Sequence, residues 1–248
     1  MAITLFVVVA LALATVITSF ISGILGMAGG MILIGVLLAL LPLPAAMLLH
    51  GVVQLAANGW RALMLRTEID WRVFAGYAAG AAVAAGTFTV AAFVVAKPAA
   101  LVAMGLTPFA SLVLPEKLHL NVERRWHPFA CGIVCVALSL TAGIAGPILD
   151  VFFVRSRMTR HVVVATKAAT QSLSHLLKIV YFGALTATGA TVPPWLAVLL
   201  VVFAIAGTAL SRKALERISD ASFRLWTRWT VTALGAVYLT SGVKLYLA

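Results

Sequence analysis

Long apolar stretches separated by short polar ones run along the whole chain. Unbroken apolar runs of roughly 20 residues recur, and this is the length that crosses a bilayer as a helix. The apolar segments cover residues 3–25, 30–41, 44–65, 73–96, 99–114, 128–145, 147–154, 161–186, 194–211 and 225–247. Several segments are too short to span alone. The pattern predicts an all-α polytopic membrane protein with about eight transmembrane segments.

Two of the apolar stretches are interrupted by glycine-rich breaks. The stretch 3–41 is broken at 26–30, and the stretch 128–154 is broken at 142–147. Glycine frees the backbone and proline removes a hydrogen-bond donor, so we expect half-helices that begin near Gly30 and Pro147. Irregular backbone at membrane depth persists only where protein or a watery cavity satisfies it. Each break therefore predicts a re-entrant hairpin of two broken helices.

The two halves of the chain carry matching motifs. Ser19-Phe-Ile-Ser-Gly-Ile-Leu-Gly26 aligns with Ser139-Leu-Thr-Ala-Gly-Ile-Ala-Gly146. If each break is a hairpin, the first half starts outside the cell and the second half starts inside. The halves are then inverted repeats, a plan that places a transport site at the repeat interface. We predict a first repeat over 1–114, a polar cytoplasmic linker over 115–127 and a second repeat over 128–248.

Each half also carries four polar residues at offsets of four, four and three, which places them on one face of a helix. The two quartets are His50, Gln54, Asn58, Arg61 and Lys167, Gln171, His175, Lys178. The two helices run in opposite directions in the predicted fold. We therefore expect a polar column with amides at its middle, in which each residue of one quartet lies level with one of the other. The predicted levels are His50 with Lys178, Gln54 with His175, Asn58 with Gln171, and Arg61 with Lys167.

Composition and charge agree with a membrane location. Hydrophobic residues make up 63% of the chain and charged residues only 10%, which is too little polar surface for a soluble domain. The formal net charge is +11, and no basic helix interleaved with aromatic residues appears outside the apolar segments, so nucleic acid is not an expected partner. With hairpins, most basic residues lie on one side, which the positive-inside rule assigns to the cytoplasm. These residues are Arg66, Arg72, Lys117, Arg124, Arg125, Arg155, Arg157, Arg160, Arg212, Lys213, Arg217, Arg224 and Arg228.

This charge distribution places both termini outside the cytoplasm. The first segment lacks a preceding basic region, and we expect it to be a retained helix rather than a cleaved signal peptide.

Three basic residues, Arg61, Lys167 and Lys178, fall within the predicted membrane segments. Each costs about 2.5–3.5 kcal/mol at a helix centre, and neither quartet contains an acid, so binding of an anion would explain why they are there. Alternatively, the amides and histidines join helices by hydrogen bonds and Arg61 reaches the cytoplasmic surface. Asp150, the one acid embedded in an apolar segment, is expected to pair with Arg155 rather than to couple protons.

The glycine breaks add a second anion-binding element. Helix N-termini present free N–H groups, and the helix dipole favours an anion there. We expect Gly29 and Gly30 to contribute in the first half and the hydroxyls of Ser139 and Thr141 in the second. The alternative is that the glycines only permit close helix packing. Cys131 and Cys135 lie one turn apart without other ligands, so neither a disulfide, a metal site nor a cofactor is expected.

The repeated motifs, the glycine-rich break at 23–30 and the helix plan resemble the TauE/SafE sulfite exporter family over nearly the whole chain. The chain departs from the fuller glycine run of the first repeat at Met27 and Ala28, and the second repeat has Gly146-Pro147. The resemblance implies transport of sulfite, a small organosulfonate or a related anion across the bacterial cytoplasmic (inner) membrane.

The sequence therefore favours a secondary transporter that works by alternating access, with the lipid bilayer and a small anion as partners. His50 and His175 could link transport to protons. An anion channel and a structural subunit are alternatives. An intramembrane enzyme is a further alternative, but no HExxH motif, no paired acids and no nucleophile motif support it, and a phosphate-binding GxxxxGK[ST] motif is also missing.

Overall fold

The apolar segments of the chain form α-helices. The computed structural model describes residues 4–25, 27–113, 120–186, 192–215 and 220–247. Within these residues there are ten α-helices, and no residue is assigned to a strand. The helices are α1 Leu5–Leu25, α2 Ala28–Leu40, α3 Leu43–Met64, α4 Trp71–Ala91, α5 Lys97–Val113, α6 His127–Thr141, α7 Gly146–Phe153, α8 Arg160–Thr186, α9 Pro194–Leu215 and α10 Asp220–Leu247. Every helix end lies within five residues of an end of a predicted segment.

Both predicted breaks are confirmed. Helix α1 ends at Leu25 and α2 begins at Ala28, while Gly26 lies outside the described residues. Helix α6 ends before Ala142, and Gly143 adopts a φ of 75°, a left-handed conformation that glycine reaches without a steric penalty. Helix α2 begins two residues before Gly30 and α7 one residue before Pro147, so the glycines at 29 and 30 belong to the first turn of α2.

Three helices in the described part of the chain are long and apolar enough to cross a membrane, namely α1, α4 and α9. Helices α2 and α6 are apolar but shorter. Large hydrophobic side chains such as Leu5, Phe6 and Val90 expose 79%, 74% and 89% of their surface. Such exposure is unfavourable in water and is expected of side chains that contact lipid. The fold is that of an all-helical membrane protein.

The chain divides into two compact units, and the first consists of Met1–Ala57 and Lys178–Leu234. Helix α1 packs on α2 and α9 in this unit. A Cβ atom added at Gly207 would lie 2.5 Å from the backbone oxygen of Val16, and one added at Gly29 would lie 2.5 Å from the backbone nitrogen of Ser22. The glycines therefore bring the backbones of α1, α2 and α9 almost into contact.

The second unit consists of Asn58–Leu177 and Gly235–Ala248. Helix α4 packs on α6, and the Tyr77 hydroxyl shares a buried hydrogen bond of 2.5 Å with Ser174 Oγ of α8. Asp70 caps the N-terminus of α4, and its own backbone N–H donates to Thr166 Oγ1 at 2.9 Å. These bonds join α4 to α8.

The predicted linker over 115–127 is described only from residue 120, since residues 114–119 lie outside the described part. Its described end is bound to the C-terminal end of α7 and to the segment that follows it. The Val122 N–H donates to the Phe152 carbonyl at 3.1 Å, Asn121 Nδ2 donates to the Arg155 carbonyl at 3.1 Å, and the Arg157 N–H donates to Glu123 Oε2 at 2.8 Å.

Each unit contains segments from both halves of the sequence. The two parts of the first unit lie on either side of residues 115–127, and the part Asn58–Leu177 of the second unit extends across them. The units are therefore not the two predicted repeats, whose boundaries remain a prediction.

Candidate functional site

A chain of buried polar groups crosses three helices of the first unit. Lys178 Nζ of α8 lies 2.7 Å from His50 Nδ1 of α3, and His50 Nε2 lies 3.0 Å from the carbonyl oxygen of Gly30 in α2. Lys178 exposes 0% of its surface and His50 exposes 1%. His50 and Lys178 thus lie at the same level, as the antiparallel quartets predict.

The Gly30 carbonyl fixes the proton on His50. A carbonyl oxygen only accepts hydrogen bonds, so His50 Nε2 must donate to it. A neutral imidazole that is protonated at Nε2 has its lone pair at Nδ1, and Lys178 donates to that lone pair. With Lys178 protonated and His50 neutral, the pair would carry one positive charge at a fully buried position.

The start of α2 lies beside this pair. Gly29 and Gly30 are buried in the first turn of α2, and no side chain caps that N-terminus. The buried Gln54 amide lies directly against Gly30, where an added Cβ would approach Gln54 Cδ to 3.2 Å. N–H groups of a first helical turn, an amide and a lysine are the donors that an oxyanion needs.

Lys167 of the second unit has a partner that differs from the sequence-based expectation. Its ammonium forms an ion pair with the Asp150 carboxylate of α7. The expected pairing of Asp150 with Arg155 is therefore wrong, and so is the expectation that Lys167 has no internal acid. Asp150 lies four residues into α7, and this position carries its carboxylate to α8 rather than to the loop that holds Arg155.

The remaining candidates belong to the second unit. Asn58, His175 and Ser139 are buried, whereas Arg61, Gln171 and Thr141 are half-buried. The Thr141 hydroxyl donates to the Ala137 carbonyl in its own helix, and Ser139 Oγ has no hydrogen-bond partner among the described residues. The eight-residue column includes residues of both units and remains a prediction. No cluster of three metal-ligating side chains occurs in the described ranges.

A correspondence between the halves emerges from these contacts. The offset of 120 residues that aligns Ser19 with Ser139 also aligns Gly30 with Asp150, and the quartets align His50 with Lys167. In the first unit, an oxygen of Gly30 meets His50, and in the second unit, an oxygen of Asp150 meets Lys167.

Comparison with known proteins agrees with this chemistry. A family model described as sulfite exporter TauE/SafE matches residues 11–238. No curated protein and no solved structure matches the chain. The match extends across both halves and includes every candidate site residue. The resemblance found in the motifs is confirmed, and the chain belongs to the TauE/SafE sulfite exporter family of membrane transporters.

Proposed function

We propose that this protein is a secondary transporter that moves sulfite or a small organosulfonate across the bacterial cytoplasmic membrane by alternating access. The observation that carries the proposal is the buried Lys178–His50 pair beside the start of α2, in a chain of this family. A lysine inside a membrane protein is costly, and a function that requires its charge explains its retention.

The arrangement in the first unit suits a small oxyanion. The positive charge on Lys178 attracts the anion, and the amide of Gln54 can donate to one of its oxygens. The first-turn N–H groups of α2, at Gly29 and Gly30, provide further donors of the kind that bind sulfate and phosphate in proteins. His50 orients the lysine through its bond to the Gly30 carbonyl.

In this proposal the second unit supplies further groups for the anion along its path. They are Asn58, Arg61, Lys167, Gln171, His175, Ser139 and Thr141. Inverted repeats, about eight membrane segments and termini outside the cytoplasm complete the proposed architecture. The support for it is the matched motifs, the similar contacts at Gly30 and Asp150, and the one-sided distribution of basic residues.

The test is uptake of labelled sulfite, and separately of a small organosulfonate, into proteoliposomes that contain the purified protein. We expect saturable uptake that falls by about tenfold or more in Lys178→Gln, because the glutamine keeps a donor but loses the charge. Lys244→Gln is the matched control, since Lys244 is an exposed lysine in the last turn of α10. Size-exclusion chromatography checks that both variants fold.

Counterflow separates a carrier from a channel. Unlabelled sulfite loaded inside the vesicles should accelerate entry of labelled sulfite, because a carrier returns faster with substrate bound. Uptake that is saturable but insensitive to internal sulfite would favour the channel. No uptake of either anion above empty liposomes would overturn the substrate assignment.

A further inference from the structure

We propose that the Asp150 carboxylate is a built-in competitor of the transported anion, which occupies Lys167 when the substrate is absent and is displaced when the substrate binds. This inference rests on the proposed function and adds an affinity-determining residue to it. A substrate oxyanion and a carboxylate offer the same chemistry to an ammonium group, namely negative charge on oxygen atoms that accept N–H hydrogen bonds.

The contact is well suited to competition because it is both specific and accessible. Lys167 Nζ donates a hydrogen bond to Asp150 Oδ1. Among the described residues, neither of these two side chains makes another hydrogen bond. The side chains expose 24% and 39% of their surface, so protein atoms do not enclose the ion pair. By contrast, Lys178 is completely buried.

Other charged groups near α7 do not take the place of Lys167. Helices α5 and α6 pack on α7. In those helices Lys97 and His127 are the first residues, and Cys131 and Cys135 contact each other. Within the described ranges, Lys167 is the charged group that contacts the Asp150 carboxylate. Displacement of the carboxylate therefore releases the positive charge of one identifiable lysine.

The corresponding contact in the first unit shows why this carboxylate is more than a structural feature. There the oxygen that meets the polar helix is the carbonyl of Gly30, which carries no net charge. An uncharged oxygen is therefore enough to hold His50 Nε2 of α3 in place. The full negative charge at the equivalent position of α7 additionally cancels the charge of Lys167, and that positive charge becomes available when the carboxylate is displaced.

The geometry of α7 is compatible with such an exchange. This helix is eight residues long, and residues 142–145, with Gly143 at a φ of 75°, separate it from α6. Its start has no side-chain cap. A rotation of the Asp150 side chain away from α8 breaks the ion pair without breaking any backbone hydrogen bond of α7.

The first experiment compares the half-saturation concentration for sulfite uptake in proteoliposomes. Asp150→Asn should lower it by about 3- to 10-fold, because the competitor is gone and the lysine remains. Lys167→Gln should raise it. In the Lys167→Gln background, Asp150→Asn should have no further lowering effect, since there is then no lysine for the carboxylate to occupy.

A structural role for the pair predicts a different pattern. Under our proposal, the exchanged variant Asp150→Lys/Lys167→Asp, which restores an ion pair, should recover the thermal stability of the wild type but not its affinity for sulfite. If Asp150→Asn folds and leaves the half-saturation concentration unchanged or raises it, the competitor role is wrong. It is equally wrong if the substitution lowers that concentration to the same extent with and without Lys167.

A second measurement uses proteins that keep the carboxylate, in case Asp150→Asn does not fold. Infrared difference spectra on addition of sulfite should show a perturbed carboxylate band that changes frequency in Asp150→Glu. The same spectrum in both proteins would contradict displacement of this carboxylate. Absence of uptake by the wild type would overturn the proposed function itself, whereas wild-type uptake with none of these Asp150 effects overturns only this inference.

Discussion

Gly29 shows at the scale of one residue how small side chains determine the packing of this protein. A Cβ atom at this position would meet the backbone oxygen of Thr18 and would lie 2.5 Å from the backbone nitrogen of Ser22. Backbone atoms cannot move aside as a flexible side chain can. The absence of a side chain therefore lets α2 lie against α1 immediately after the first break.

We expect Gly29→Ala to lower the free energy of unfolding by about 1–3 kcal/mol, because the overlap with α1 outweighs the helix propensity of alanine. Gly86→Ala is the matched control, since Gly86 is also helical and has no atom within 4 Å of an added Cβ. That control should be neutral or stabilising by up to about 1 kcal/mol. Thermal unfolding in detergent measures both, and equal midpoints for the two variants would contradict the packing argument.

The candidate residues could be predicted from the sequence better than their partners could. The periodic spacing of the quartets placed His50 level with Lys178, and the structure joins them at 2.7 Å. The expected partner of Asp150, Arg155, is near in sequence, whereas its partner in the structure, Lys167, lies 17 residues away. Periodicity reports the face of a helix, but it does not report which face of a neighbouring helix comes opposite.

Helix α4 shows at the scale of an element how one polar residue defines a helix start. Asp70 Oδ1 accepts hydrogen bonds from the backbone N–H groups of Arg72 and Val73, both at 3.0 Å. These are two of the N–H groups that an α-helix leaves without an internal partner at its beginning. Since the Asp70 N–H also donates to Thr166 Oγ1, the same residue joins this helix start to α8.

We expect Asp70→Ala to lower the free energy of unfolding by about 1 kcal/mol, because the first turn of α4 loses its cap. Asp70→Asn keeps an acceptor oxygen at the same position and should retain most of the stability. Hydrogen exchange of the Arg72 and Val73 amides, together with the unfolding midpoint, measures the effect. Unchanged exchange at these two amides in Asp70→Ala would show that the cap does not protect them.

The helices themselves were predictable because each apolar segment in the sequence corresponds to one helix, and the breaks at 26–30 and 142–147 contain glycine or proline. The ends were less predictable where polar residues continue a helix. Helix α9 runs to Leu215 and α10 begins at Asp220, although the apolar patterns cover only 194–211 and 225–247. Hydrophobicity marks the part of a helix that meets lipid, and backbone hydrogen bonding extends it beyond that part.

At the scale of the whole molecule, the division into compact units differs from the division of the sequence into repeats. The first unit combines α1, α2 and α9 with parts of α3, α8 and α10. Sequence similarity records which segments share a pattern. Compactness depends on which segments pack together, and a pattern along the chain does not contain that information.

The orientation of the chain gives a prediction at the same scale. A phosphatase that is active only outside the cytoplasm should be active when it is fused after Leu247, and it should be inactive when it is fused to a chain truncated after Arg125. The physical reason is the excess of Lys and Arg on the linker side of the predicted segments. Fusions of green fluorescent protein at the same points should give the opposite result. Phosphatase activity at both points would contradict the proposed hairpins.

The two native thiols have a practical consequence for the study of motion. Cys131 and Cys135 are free, buried in α6 and 3.8 Å apart at their sulfur atoms. Maleimide reagents require an accessible thiolate, so the natural chain should react slowly with them in its folded state. A cysteine introduced at an exposed position should therefore carry a spin label or a fluorophore selectively, without removal of the native pair. Distance changes during a transport cycle could then be followed in a chain that is otherwise wild type.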